Sequence, residues 1–91
     1  MRLDLFLKAS RLSGRRTLAQ ILCDAGRVSI NGSTAKSSHA VKVGDEICIR
    51  RHNTLTTVRV LSVPTARQIS RKEASSLYEV LSEESVGVAE L

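Results

Sequence analysis

Five cations fall within the first sixteen residues of this 91-residue chain: Arg2, Lys8, Arg11, Arg15 and Arg16. Arginine outnumbers lysine there, which suits bidentate contacts to phosphate oxygens. Thr17 adds a hydroxyl beside them, and Asn31 and Lys36 follow in a polar stretch. The chemistry these types offer is charge-assisted hydrogen bonding to an anion. Their placement sharpens that reading. Arg15 and Arg16 sit where a helix is expected to begin, and cations there oppose the helix dipole by about 0.3–1 kcal/mol each. A phosphate reverses the sign, because it is attracted by the arginines and by the unpaired N–H groups of the helix start. This corner is expected to bind phosphate.

The elements that must position these side chains are legible in the apolar spacing. Leu3, Phe6 and Leu7 fall at i, i+3 and i+4, which predicts a first helix from about Leu3 to Ser10. Leu18, Ile21, Leu22 and Ala25 fall at i, i+3, i+4 and i+7 and predict the buried face of a second. Ser13 or Gly14 is expected to cap it, and Gly26 to end it as a residue of positive φ. Asp4 is expected to hold Arg2 or Arg16 in position, or else to serve as a helix-start cap.

Val28 and Ile30 alternate with polar residues as a short half-buried strand, closed by Asn31-Gly32, the strongest short hairpin signal. Residues 33–40 are a small polar loop around Lys36. Ser37 and Ser38 there fit either phosphate contact or ordinary solvation. Gly44-Asp45 is a further turn; Ile47 and Ile49, and then Val58 and Val60, alternate on either side of a basic turn at residues 50–54. Val63-Pro64 breaks the pattern. Ser70 with Glu73 forms a capping box, and Ala74, Leu77, Tyr78 and Leu81 predict a third helix over 71–82. The stripe is expected to lie on the sheet, with a protein partner as the alternative. Residues 83–91 read as an acidic tail. The fold class is therefore α+β, with two N-terminal helices on a small mostly antiparallel sheet and a short C-terminal helix. The chain divides into 1–62 and a C-terminal helix and tail over 63–91.

The same residues carry a resemblance. Arg2-Leu3-Asp4 with Phe6-Leu7, Ser10-Arg11-Leu12, Arg15-Arg16-Thr17, Gly26-Arg27-Val28, Asn31-Gly32, Lys36 and Val43-Gly44-Asp45 are similar to the small RNA-binding domain named after ribosomal small-subunit protein four, over residues 1 to about 51. Within that superfamily the chain resembles the RqcP family of bacterial ribosome-associated quality control, a relative of the fifteen-kilodalton heat-shock protein. That relative usually carries a longer basic C-terminal extension, whereas this chain ends acidic. The resemblance implies RNA contact through Arg2, Lys8, Arg11, Arg15, Arg16, Thr17, Asn31 and Lys36. The implied partners are large-subunit rRNA, the P-site tRNA and a tRNA-recruiting quality-control protein. The implied role is to bind large subunits obstructed by peptidyl-tRNA and to support C-terminal alanine tailing.

Bulk properties agree. Net charge is +5, which favours a polyanionic partner. Residues 1–60 carry eleven Lys and Arg against four Asp and Glu, so the basic character belongs to the core and not to a tail. Aromatic residues are 2% of the chain, Phe6 and Tyr78, with Phe6 in an apolar stripe. Base stacking on exposed aromatics is therefore not expected, and a structured RNA read by phosphate, 2′-hydroxyl and shape is. No apolar run reaches the roughly 20 residues of a membrane span, and no signal-peptide core follows the N-terminus, so a cytoplasmic monomer with no membrane association is expected. Nucleotide-binding loops and hydrolase signatures are missing from the sequence. No enzymatic activity, cofactor or metal is expected: Cys23, Cys48, His39 and His52 lack the close ligand spacings of metal sites. His52 reads as a turn residue. The helix pair also resembles a helix-turn-helix, which leaves a DNA-binding or regulatory protein as the alternative, beside a protein-interaction module.

Overall fold

Both N-terminal patterns form helices in the computed structural model, which describes residues 1–65 and 70–85. These are α1 (Leu3–Ala9) and α2 (Arg16–Asp24). They are short for isolated stability, so neighbouring chain must supply partners for their ends. At α1 it does. The N–H groups of Leu3 and Asp4 donate to the carbonyls of His39 and Ser37 at 2.8 and 3.1 Å. The N–H of Leu5 donates to the Asp4 carboxylate at 2.8 Å. Three orphan donors of the helix start are thereby met by a distant loop and a first-turn acid. An isolated bridge between Arg2 and Ala40 ties the same corner.

The turn into α2 departs from expectation. Neither Ser13 nor Gly14 caps it; Arg15 occupies the N-cap position and no side chain bonds there. Buried Ser13 instead donates its hydroxyl to the Arg15 carbonyl at 3.0 Å, and Gly14, at φ +78°, reverses the chain. The far end matches expectation. Gly26 takes φ +73°, its N–H donates to Cys23 O at 3.0 Å, and that of Arg27 donates to Leu22 O at 2.9 Å, a Schellman closure. A Cβ at Gly26 would meet nothing within 4 Å, so the cost of replacing it is conformational. Gly26→Ala should destabilise by about 1–2 kcal/mol, a loss of roughly 4–8 °C in Tm per kcal/mol, read by thermal denaturation.

The buried face of α2 matches the predicted one only at Leu22. Ala19, Leu22 and Cys23 point inward, while Leu18 and Ile21 are 37% and 58% exposed and Ala25 is exposed. Arg16 and Gln20, one turn apart, both donate to Asp4 on α1. This polar pair sets the rotation of α2 about its axis.

The sheet has five strands in the order β2-β1-β3-β4-β5, from β1 (Val28–Ile30), β2 (Ser33–Thr34), β3 (Glu46–Arg51), β4 (Thr54–Val60) and β5 (Tyr78–Ser85). Every pairing is antiparallel. Asn31 at φ +52° and Gly32 at φ +88° make the two-residue hairpin predicted between β1 and β2. Val28, Ile30, Ile47, Ile49, Val58 and Val60 lie beneath Leu3, Phe6 and Leu7 of α1 and Leu22 of α2, forming the core.

The predicted helix over 71–82 stops early. Only α3 (Arg71–Ala74) is helical, with Ser70 Oγ accepting from the Glu73 N–H at 3.1 Å as the capping box requires. From Tyr78 the chain is strand β5, paired along β4 from Val60↔Tyr78 to Thr54↔Ser85 with one register shift at Thr57/Val58. Pairing satisfies backbone groups that β4 would otherwise leave open at a sheet edge, and Tyr78 and Val80 favour strand. That tertiary gain outweighs the helical spacing. Residues 83–85, expected as tail, belong to β5. The remainder of the expected tail, 86–91, and residues 66–69 lie outside the described residues.

Candidate nucleic-acid interface

Asp4 is the centre of the site. It is 0% exposed, a position that carboxylates rarely occupy unless paired. Its carboxylate accepts from Arg2 Nε and Nη2 at 3.1 and 3.2 Å, Arg16 Nε at 3.2 Å, Gln20 Nε2 at 3.0 Å and the Leu5 N–H at 2.8 Å. These bonds fill its acceptor capacity. The two arginines lie over it with side chains 45% and 44% exposed. Each uses one face on Asp4 and turns the rest of its guanidinium to solvent. Burial of Asp4 pushes its pKa up, but the bonds from Gln20, Arg16, Arg2 and the Leu5 N–H outweigh that, and its pKa lies below the ordinary value. Asp4 holds both arginines where the sequence left one or the other open. Its bond from the Leu5 N–H gives it the helix-start role as well.

Three more cations accompany this anchor on the same stretch of chain. Lys8, Arg11 and Arg15 are exposed, and none takes part in an ion pair among the described residues. Arg11 adopts φ +63°, a left-handed conformation uncommon for a non-glycine residue and concentrated at functional sites. The α2 start has no side-chain cap, which leaves its first N–H groups without a side-chain partner. Thr17 is exposed in the first turn. Lys36 is exposed in the loop whose Ser37 carbonyl receives the α1 N–H of Asp4, so that loop is fixed against the arginine corner.

Asn31 is placed differently. Its Nδ2 donates to Asp45 at 3.1 Å and its Oδ1 accepts from the Glu46 N–H at 3.0 Å. Its amide is spent on closing the β1–β2 turn against β3, and Asn31 stands apart from the Asp4 cluster.

A family signature described as the S4 domain matches residues 1–47. The chain is 48% identical over 90 residues to the RQC P-site tRNA stabilizing factor of Halalkalibacterium halodurans, covering 99% of this chain and 100% of that one. It is 48% identical over 87 residues to the Bacillus subtilis protein of the same name, covering 96% and 99%. The chain belongs to the RqcP family of S4-domain proteins. The Vibrio cholerae heat-shock protein 15, solved as a trimer, superposes with a TM-score of 0.79 at 32% identity, covering 88% of this chain and 80% of that one.

Gln20 is the residue of this RqcP-family site that sequence reasoning missed. Its signal was the i, i+4 spacing to Arg16, which puts both on the face of α2 that meets Asp4. Cys23, near the same cluster, has its thiol pushed up to about 11 by burial and by the carboxylates of Asp4 and Asp24. It stays protonated at neutral pH, as a thiol packed into the core does. Among the described residues no group of three or more His, Cys, Asp or Glu could hold a metal, and no helix is long and apolar enough to cross a membrane.

Proposed function

We propose that this protein is a non-enzymatic RNA-binding factor that docks on rRNA and tRNA in ribosome-associated quality control. The observation that carries the reading is the buried Asp4 clamp. It holds Arg2 and Arg16 beside a helix start with no side-chain cap, with Lys8, Arg11 and Arg15 exposed and without an ion pair among the described residues. Phosphates are the ligand such a corner fits, and curated relatives at 48% identity are named for stabilizing the P-site tRNA. Arg2, Lys8, Arg11, Arg15 and Arg16 hold phosphates, Thr17 and Lys36 extend the surface, and Asn31 shapes the turn that faces RNA. The target is the large ribosomal subunit obstructed by a peptidyl-tRNA, in the cytoplasm. There the protein, as a monomer, supports C-terminal alanine tailing with a tRNA-recruiting partner. Residues 1–62 form the RNA-binding unit, and β5 (Tyr78–Ser85) completes its sheet edge.

Sedimentation of tagged protein from cell lysate through a sucrose gradient tests this, with the parent beside Arg16→Ala and peptidyl-tRNA probed in each fraction. The parent is expected to travel with free large subunits that hold peptidyl-tRNA, and the variant to stay at the top. A parent that stays at the top rejects the ribosomal target.

A further inference from the structure

A second cluster of cations lies at the other end of α2. Arg27 follows the helix, and its carbonyl accepts from the Arg50 N–H at 2.9 Å. The β1–β3 register, with Val28 opposite Ile49, sets Arg27 opposite Arg50. Like charges directly across strands are destabilising. Next comes Arg51, half-buried, and then His52, exposed at φ +48°. None of Arg27, Arg50 and Arg51 has an ion pair among the described residues. A half-buried arginine without an ion pair among the described residues, beside two more arginines and a left-handed histidine, is an arrangement that an external anion relieves.

This cluster borders an open cleft of about 820 Å³ between α2 and the β3–β4 turn. The volume is within the roughly 300–1,000 Å³ that small ligands occupy. Leu18 and Leu22 line its α2 side, Arg27, Arg51 and His52 its basic rim, and Thr54, Thr56 and Glu83 the sheet side. Glu83 accepts from the Thr56 hydroxyl at 3.2 Å and is not spent on the arginines. The cleft thus has a cationic rim, an apolar wall and a polar floor. A duplex keeps its base faces stacked inside and presents phosphates and 2′-hydroxyls; an unpaired nucleotide adds an apolar base face and a free hydrogen-bonding edge.

We infer that this cleft is a second RNA subsite that takes one unpaired nucleotide, its phosphate on Arg27 and Arg51 and its base against Leu18 and His52. The inference rests on the RNA-binding reading and extends it. The nine residues of α2, at about 1.5 Å rise each, set the two cation clusters roughly 13 Å apart. One phosphate cannot serve both.

Fluorescence anisotropy with the full chain decides it, using a labelled RNA hairpin with an unpaired loop and a blunt RNA duplex of equal nucleotide number. The parent is expected to bind the hairpin about tenfold more tightly than the duplex. In Arg27→Gln/Arg51→Gln the hairpin should fall to the duplex level while duplex binding changes less than twofold, and the log–log salt slope for the hairpin should drop by about 0.7, the value for the one single-strand phosphate the two arginines share. Leu18→Glu, at an exposed position, should abolish the same preference, and circular dichroism melts check that both variants fold. Variants that keep the hairpin preference overturn the inference, as do variants that weaken both RNAs equally. A parent that binds both RNAs equally overturns the inference alone; a parent that binds neither overturns the functional reading with it.

Discussion

Asp4→Asn is expected to lower Tm by about 8–16 °C and to weaken RNA binding at least as much as loss of either arginine it holds. The amide keeps the shape of the carboxylate but sets an NH2 donor against donors from Arg2, Arg16 and Gln20. Hydrogen bonds to charged groups contribute about 1.5–3 kcal/mol each. Breaking a buried pair costs about 3–5 kcal/mol, but here the arginines are nearly half exposed and can turn to water. A net loss of about 2 kcal/mol follows, at roughly 4–8 °C per kcal/mol. The pH dependence gives a second readout. The folded pKa of Asp4 is lowered, so the unfolded chain binds the proton more readily and stability rises with pH across that interval. The contribution is complete above the ordinary value of 3.8 and is lost as pH falls through the folded value. Melting curves from pH 7 down to about pH 3 should therefore show parent and variant converging toward acid. Parallel curves would mean that Asp4 contributes through packing alone.

Removing Arg11 and Arg15 should do the opposite: strong loss of binding with no loss of stability. Neither side chain has an internal partner among the described residues, and Arg15 stands against the dipole of α2. Arg11→Asn/Arg15→Ala keeps a residue tolerant of the left-handed conformation at position 11. Its affinity for structured RNA should fall about 10²-fold, roughly tenfold per charged contact. Its salt slope should fall by about two, with Tm equal to the parent's or slightly higher. A Tm that drops with affinity would place these arginines in the fold. An unchanged affinity would move the interface away from this corner.

Local patterns in the sequence determined most of this protein. The first two helices follow from apolar spacing, and the Schellman end of α2 from Gly26. The β1–β2 hairpin follows from Asn31-Gly32, and the start of α3 from Ser70 with Glu73. The cationic corner was legible too, because arginines at a helix start are unfavourable without an anion. The tertiary structure decided what depends on partners far along the chain. The α1 start is satisfied by the carbonyls of residues 37 and 39, which no local signal announces. The rotation of α2 is set by Arg16 and Gln20 reaching a carboxylate twelve and sixteen positions away, and this exposes Leu18 and Ile21 against their apolar character. Residues 78–85 become strand because β4 offers an edge of unpaired backbone groups, and pairing there outweighs a helical stripe of four residues. A spacing rule sees only neighbours on one element. Burial and hydrogen-bond satisfaction are settled between elements, and Asp4, buried with all its partners at once, is where the two meet.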